Sequence, residues 1–125
     1  MGRRVLVVED TADNRQIIRD LLGAAGYELL EATDGAEGLA SAAANKPDLI
    51  LMDIQLPVLD GYETTRRIKA DPALRHIPVI AVTSYALSGD EEKTRAAGCD
   101  AYIAKPFSPR HLLATVKSLL PIDGD

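Results

Sequence analysis

The sequence predicts an α/β fold in which five strands alternate with five helices to form a doubly wound, five-stranded parallel (βα)5 sheet. Short apolar runs recur along the 125-residue chain, and each is followed by a segment whose apolar residues have helical spacing. Alternation of this kind predicts a parallel sheet covered by helices on both faces. No linker, repeat or low-complexity segment interrupts it, so we expect a single domain over residues 1–125.

The first two strand–helix units follow from their apolar patterns and capping residues. Val5–Val8 is short, apolar and β-branched, which favours a strand. The helix after it has its apolar face at Ile17, Ile18, Leu21 and Leu22, its cap at Thr11 or Asp13, and its end near Gly26. The next unit is a strand Tyr27–Ala32, a turn or cap at Thr33-Asp34-Gly35, and a small-residue helix Ala36–Ala44.

The third strand is the centre of the predicted fold. Leu49–Met52 is an apolar run bounded by Pro47-Asp48 and Pro57, too short for a stable helix and typical of a strand buried on both faces. Asp53, where this strand ends, is the first candidate for chemistry. A solvated aspartate at the start of a loop is the ordinary alternative for that position.

The rest of the chain completes the alternation. Asp60-Gly61 leads into a helix with Tyr62, Thr65 and Ile68 that ends near Asp71-Pro72. A strand Val79–Val82 follows Pro78, and an acidic-first helix runs from residues 89–92 to Gly98, as the helix dipole favours. The last unit is a strand Ala101–Ala104 and a helix with its apolar face at Leu112, Leu113, Val116, Leu119 and Leu120.

Net charge, cysteine content and the apolar run at the start indicate which ligands and which cellular compartment to expect. The net charge of −5 argues against nucleic acid as a direct ligand and favours divalent cations or basic surfaces. The single cysteine, Cys99, excludes an internal disulfide and fits a reducing cytoplasm, where we expect it to pack as a small apolar residue. The apolar run at the start is too short for a signal peptide or a membrane span. We therefore expect a cytoplasmic domain without membrane insertion.

Polar side chains follow four of the five predicted strands. In order along the chain they are Glu9, Asp10, Asp53, Thr83, Ser84 and Lys105. Functional residues of parallel α/β sheets collect at the carboxyl ends of the strands, so these groups are expected to meet. The second strand is followed only by the predicted helix cap. Each residue alone has an ordinary structural explanation, but their joint occurrence at strand ends points to one site.

The chemistry of this set is that of phosphoryl transfer. Three carboxylates at one point repel each other unless a cation or proton intervenes, and an all-oxygen cluster suits Mg²⁺. A carboxylate is also a nucleophile toward phosphorus, which gives an aspartyl phosphate. A lysine and a hydroxyl supply the remaining contacts to the phosphoryl oxygens.

At this point the chain resembles the receiver domain of two-component response regulators, over Arg4 to Leu120. The resemblance depends on four segments at matching spacings, VLVVED, LILMDIQLPVLDG, PVIAVTS and AYIAKPF. It implies a CheY-like, flavodoxin-like sheet of strand order 2-1-3-4-5. It also implies a phosphorylation-activated switch with no activity beyond Mg²⁺-dependent self-phosphorylation and autodephosphorylation.

The resemblance implies a role for each site residue. Asp53 accepts the phosphoryl group from the phosphohistidine of a histidine kinase or phosphotransfer protein, and Thr83 and Lys105 bind that group. Asp10, Asp53 and the Gln55 main-chain carbonyl hold Mg²⁺, with Glu9 acting through water. Tyr102 is the switch aromatic, Gln55 and Tyr85 modulate hydrolysis, and Lys105-Pro106 is a cis peptide bond. The surface that reads the switch includes Tyr85, Leu87, Tyr102, Phe107 and Arg110. For Phe107, simple core packing after Pro106 is the alternative.

Within the family the segments most resemble single-domain regulators of the DivK type, so we expect output through contact with a downstream protein or through phosphate transfer. A receiver excised from a hybrid kinase or larger regulator is one alternative. A haloacid dehalogenase-like phosphatase is less consistent with Gln55, because that class has an aspartate two residues after its nucleophile. A flavodoxin-like nucleotide binder would need a phosphate-binding loop where this chain has Glu9 and Asp10. Ala101, His111 and Thr115 replace the charged residues of dimeric transcription-factor receivers, so we expect a monomer or weak dimer.

Overall fold

The structure is a computed structural model that describes residues 3–83 and 90–121. Within these ranges five strands alternate with five helices, as predicted. The strands are β1 (Arg4–Val8), β2 (Glu28–Ala32), β3 (Leu49–Asp53), β4 (Val79–Thr83) and β5 (Ala101–Ala104). The helices are α1 (Ala12–Ala24), α2 (Gly35–Asn45), α3 (Gly61–Ala70), α4 (Asp90–Ala97) and α5 (Pro109–Leu119).

All the strand pairs are parallel, and the strand order is β2-β1-β3-β4-β5, which confirms the predicted topology. The order reverses between β1 and β3, and open α/β sheets bind their ligands at the carboxyl ends of the two strands that flank such a point. Val8, the last residue of β1, pairs with Met52, and Asp53 pairs with Val82 of β4. The residues that follow β1 therefore lie beside Asp53.

The core consists of two apolar layers, one on each face of the sheet. Alternate residues of each strand point to opposite faces, so Leu49 and Leu51 belong to one layer, whereas Ile50 and Met52 belong to the other. The first layer is completed by α1 and α5, and the second by α2 and α3. Every residue of β3 and β4 is buried, which confirms that the central apolar run is a strand covered on both faces.

Local capping agrees with the predicted turn after β2. Asp34 accepts a hydrogen bond from the Glu37 main-chain N–H at 2.7 Å, and the Glu37 carboxylate accepts one from the Thr33 N–H at 2.9 Å. These two hydrogen bonds fix the start of α2. Thr11 is the N-cap residue of α1, but its side chain makes no capping hydrogen bond.

Two differences from the predicted elements concern the site and the core. β3 and β4 each extend one residue further than predicted, to Asp53 and Thr83, so both site residues belong to the sheet itself. Ile17 was predicted on the core-facing side of α1, but its side chain is 50% exposed. Ile18 takes the buried position instead, because adjacent residues of a helix point about 100° apart.

Gly61 allows α3 to begin directly against the end of β3. A Cβ atom at this position would collide with the Asp53 main-chain carbonyl and the Ile54 Cα. The Gly61 N–H donates to the Ile54 carbonyl at 3.1 Å, which closes the turn between the two elements. In the described ranges, none of the helices has the length and hydropathy needed to cross a membrane.

Candidate functional site

The carboxyl ends of β1, β3 and β5 bring Glu9, Asp53 and Lys105 together. The Lys105 ammonium donates to the Glu9 carboxylate at 2.9 Å and to the Asp53 carboxylate at 3.2 Å. Glu9 and Asp53 are 2% and 4% exposed, so this is a largely buried arrangement of two carboxylates and one cation. Three residues that lie up to 96 positions apart in the sequence therefore meet as the strand ends predict.

Backbone hydrogen bonds hold the carboxylates in place. The Gln55 N–H donates to Asp53 Oδ1 at 3.0 Å, and the Thr11 N–H donates to Glu9 Oε2 at 3.1 Å. The Lys105 N–H donates to the Thr83 carbonyl at 2.7 Å and continues the pairing of β4 with β5. The Lys105-Pro106 peptide bond is cis, as the resemblance implied.

The proton affinities of the three groups are shifted in different directions. Burial, followed by the negative charge of Glu9, raises the pKa of Asp53 from 3.8 to about 6 against the attraction of Lys105. Burial also acts to raise the pKa of Glu9, but the hydrogen bonds from Lys105 and the Thr11 N–H, together with the charge of Lys105, lower that pKa below its ordinary value. Burial disfavours the ammonium form of Lys105, yet the two carboxylates raise its pKa. The site therefore favours the ionised forms of Glu9 and Lys105 and disfavours the ionised form of Asp53.

The donor set fits a magnesium ion. Glu9, Asp10 and Asp53 each offer a carboxylate oxygen within 4.8 Å of the others, and Asp10 is exposed whereas its two neighbours are buried. All-oxygen sites with one or two carboxylates and open positions for water are typical of Mg²⁺. The raised pKa of Asp53 shows that Lys105 does not fully offset its negative charge, and a bound cation would stabilise the ionised carboxylate.

Thr83 and Gln55 form a contact that the sequence did not predict. Thr83 is fully buried at the end of β4, and its hydroxyl oxygen accepts a hydrogen bond from Gln55 Nε2 at 2.8 Å. Gln55 is polar and lies two residues after Asp53, but nothing in its sequence position indicates which way its amide points. The side chain links the loop after β3 to the neighbouring strand end.

Tyr102 lies in β5 opposite Ala81 of β4, two positions before the Thr83–Ala104 pair. Its side chain is half-buried and lines a hollow of about 170 Å³ together with Thr94 and Arg95 of α4. Tyr85, which was predicted to modulate hydrolysis, and Leu87, which was predicted on the switch surface, lie outside the described residues, as does Ser84.

An apolar hollow opens beside Lys105 on the α1 side of the site. It has a volume of about 570 Å³, and its lining includes Asn14 and Ile17 of α1 together with Phe107. Phe107 was predicted on the surface formed by α4, β5 and α5. It is instead partly buried against the core layer of α1 and α5, so that assignment is wrong and the alternative of core packing is closer. The loop after the cis peptide bond carries its aromatic ring toward α1.

Comparison with known proteins agrees with this geometry. The model of the response regulator receiver domain family matches residues 5–117. The polar-differentiation response regulator DivK of Brucella anthropi is 51% identical over 120 residues, which are 96% of this chain and 98% of that protein.

Solved structures show the same likeness. The receiver domain of a Pseudomonas aeruginosa sensor histidine kinase, with a magnesium ion in its active-site cleft, has a TM-score of 0.88 and 40% identity, over 95% of this chain and 98% of that chain. The Vibrio cholerae chemotaxis protein CheY4 has a TM-score of 0.90 and 31% identity, over 96% of this chain and 100% of that chain. The chain therefore belongs to the response regulator receiver domains, the phosphorylation-activated switches of two-component signalling.

Proposed function

We propose that Asp53 accepts a phosphoryl group from a phosphohistidine and that the phosphoaspartate changes the contacts of this protein with a downstream partner. The observation that carries the proposal is the Lys105 ammonium, which is hydrogen-bonded to Asp53 inside a cluster of three carboxylates at the carboxyl edge of the sheet. Glu9 also accepts a bond from Lys105, but Glu9 and Asp10 follow β1, whereas Asp53 ends the central strand β3. Asp53 is therefore the acceptor.

The reaction at Asp53 is a simple displacement. One carboxylate oxygen attacks phosphorus, the P–N bond to the donor imidazole breaks, and the imidazole leaves with the bonding electron pair. A pKa of about 6 leaves Asp53 ionised at neutral pH but more basic than an ordinary carboxylate. The group is thus both available and comparatively nucleophilic.

Asp10, Asp53 and the Gln55 main-chain carbonyl would hold Mg²⁺, and Glu9 would act through water. The Glu9 carboxylate accepts bonds from Lys105 and the Thr11 N–H, which hold it beside the site. The bound ion would neutralise negative charge on the phosphoryl oxygens. Self-phosphorylation from small donors and autodephosphorylation are then the only reactions that we expect of this chain.

Lys105 and Thr83 would bind two further phosphoryl oxygens. The Lys105 ammonium is already within hydrogen-bonding distance of Asp53, so it needs little movement to reach a group attached there. The Thr83 hydroxyl would turn from Gln55 toward the phosphoryl group. We propose that this turn is passed through β4 and β5 to Tyr102, as one of two packings of the same surface.

The phosphodonor would dock over the hollow beside Lys105. A phosphohistidine must approach Asp53 at the carboxyl edge of the sheet, and the exposed Ile17 lies next to that approach. An apolar face of the histidine-bearing helix of a kinase or phosphotransfer protein matches this lining. Both single-domain regulators and a receiver of a histidine kinase are among the similar proteins, so either context supplies such a donor.

Phosphoramidate, which has a P–N bond like that of phosphohistidine, tests the proposal without a partner protein. Intact mass spectrometry should find one phosphate on the wild type in MgCl₂ and none in excess EDTA. Asp53→Asn should remain unlabelled, whereas Asp20→Asn, an exposed control in α1, should be labelled like the wild type. Full labelling of Asp53→Asn would contradict the assignment.

A further inference from the structure

Arg15 joins the loop between β1 and α1 to the neighbouring strand β2. Its Nη1 donates to the Glu9 main-chain carbonyl at 2.8 Å, and its Nε lies 3.4 Å from the Glu31 carboxylate. The Arg15 side chain is only 18% exposed. Arg19, one helical turn later, pairs with the same Glu31 at 2.8 Å but is 47% exposed. Glu31 therefore holds both arginines, and only Arg15 continues to the backbone of Glu9.

The Glu9 carbonyl lies where the sheet no longer supplies partners. The Glu9 N–H still donates to the Ala32 carbonyl at 3.0 Å, but the pairing of β1 with β3 ends one residue earlier, at Val8 and Met52. A buried main-chain carbonyl needs a hydrogen-bond donor. The guanidinium of Arg15 donates this hydrogen bond, and its contact with Glu31 fixes the orientation of the guanidinium.

The direction of this carbonyl determines where Asp10 lies. The Glu9 carbonyl and the Asp10 nitrogen belong to one planar peptide unit, so an anchored carbonyl also orients the Asp10 main chain. Throughout residues 3–83 and 90–121, no hydrogen bond or ion pair reaches the Asp10 carboxylate. Its position relative to Glu9 and Asp53 therefore depends on the backbone alone.

We propose that Arg15 is a positioning residue for the metal site, which holds the Glu9–Asp10 peptide so that the Asp10 carboxylate faces Asp53. The inference rests on the proposed function, because it assumes that Asp10 is a magnesium ligand. Residues that orient metal ligands without touching the metal contribute about tenfold or more to metal affinity. Arg15 acts in that manner through the backbone rather than through a ligand side chain.

Electrostatics alone predicts the opposite effect, which makes the proposal testable. Removing a cation near a magnesium site lowers the local positive potential and should strengthen Mg²⁺ binding. Loss of positioning should weaken it. Arg15→Met and Arg19→Met make the same change of charge and both keep an unbranched apolar stem, so they form a matched pair.

Isothermal titration of the metal-free protein with MgCl₂ measures the dissociation constant directly. We expect Arg15→Met to weaken Mg²⁺ binding about tenfold, while Arg19→Met stays within about twofold of the wild type. Glu31→Gln keeps Arg15 but removes its anchor, so it should give a smaller loss, about threefold. This variant changes a surface residue, and it tests the same link if Arg15→Met does not fold.

The outcomes separate this proposal from the proposed function. If the wild type binds no Mg²⁺ that depends on Asp53, judged by the Asp53→Asn variant, the metal site itself is wrong. If the wild type binds and both Arg15→Met and Glu31→Gln retain its affinity, only the role of Arg15 is wrong. Equal weakening by Arg15→Met and Arg19→Met would also overturn it. Unfolding of each variant in EDTA distinguishes a general loss of stability from a loss of metal affinity.

Discussion

Replacing Asp53 by asparagine should stabilise the metal-free protein at neutral pH. The folded protein binds the Asp53 proton with a pKa of about 6, whereas the unfolded chain binds it with the ordinary value of 3.8. Stability therefore falls as the pH rises between these two values, and the whole cost is present above pH 6. Asparagine has nearly the same shape as aspartate but carries no charge, so Asp53→Asn avoids this cost.

The magnitude follows from the raised pKa. The rise from 3.8 to about 6 corresponds to about 3 kcal/mol, since one pKa unit is worth about 1.4 kcal/mol. The attraction of Lys105 is already included in that pKa. The asparagine oxygen can keep the bond from the Gln55 N–H, but its amide group then faces Lys105, and losing that hydrogen bond costs about 1 kcal/mol. The net stabilisation at pH 7.5 should be about 2 kcal/mol.

Urea unfolding followed by circular dichroism in EDTA measures this difference. The advantage of Asp53→Asn should be larger at pH 7.5 than at pH 5, where folded Asp53 is mostly protonated. Addition of MgCl₂ should stabilise the wild type and leave the variant unchanged, because a ligand stabilises only the state that binds it. Equal or lower stability of Asp53→Asn at pH 7.5 in EDTA, or a difference that does not vary with pH, would refute the reasoning.

Three further predictions concern the cation, the switch and the oligomeric state. Lys105→Met should destabilise the metal-free protein by about 3 kcal/mol at pH 7.5 and by less at pH 5, because two buried carboxylates lose their cation. Equal losses of stability at both pH values in urea unfolding would contradict this. Thr83→Ala should bind beryllofluoride, a mimic of the phosphoryl group, but should transmit smaller amide shifts to Tyr102, and wild-type shifts there would exclude Thr83 as the link. Light scattering should find no dimer induced by beryllofluoride, since the Thr115 hydroxyl bonds the His111 carbonyl of its own helix at 2.9 Å rather than a charged partner.

Much of the fold was predictable because each element has a local signal. The run Leu49–Met52 has no helical alternative of sufficient length, and parallel sheets need such doubly buried strands. Thr33-Asp34-Gly35 was predicted as a turn or cap because residues of these types favour such positions, and Asp34 is the N-cap of α2. Ile17 was wrongly predicted to face the core, because two adjacent residues of a helix point about 100° apart and Ile18 takes the buried position in α1.

The site was predictable as a set of residues but not as a set of contacts. Glu9, Asp53 and Lys105 follow from the rule that strand ends meet at one edge of the sheet. The bond from Gln55 to Thr83 and the bridge from Arg15 to the Glu9 carbonyl depend on side-chain rotamers and on packing between distant segments. Phe107 was assigned to the wrong surface for the same reason, since the sequence does not indicate which way the loop after Pro106 turns its ring.

Borohydride trapping tests the central claim, that the phosphoryl group is attached to the Asp53 carboxylate, most directly. Acyl phosphates are reduced by borohydride to the alcohol, so a phosphoaspartate becomes homoserine and can be located by peptide mass spectrometry. After treatment with phosphoramidate and MgCl₂, we predict homoserine at position 53 and unchanged aspartate at Asp10. Homoserine at Asp10, or a phosphorylated protein with intact Asp53 after reduction, would contradict the account.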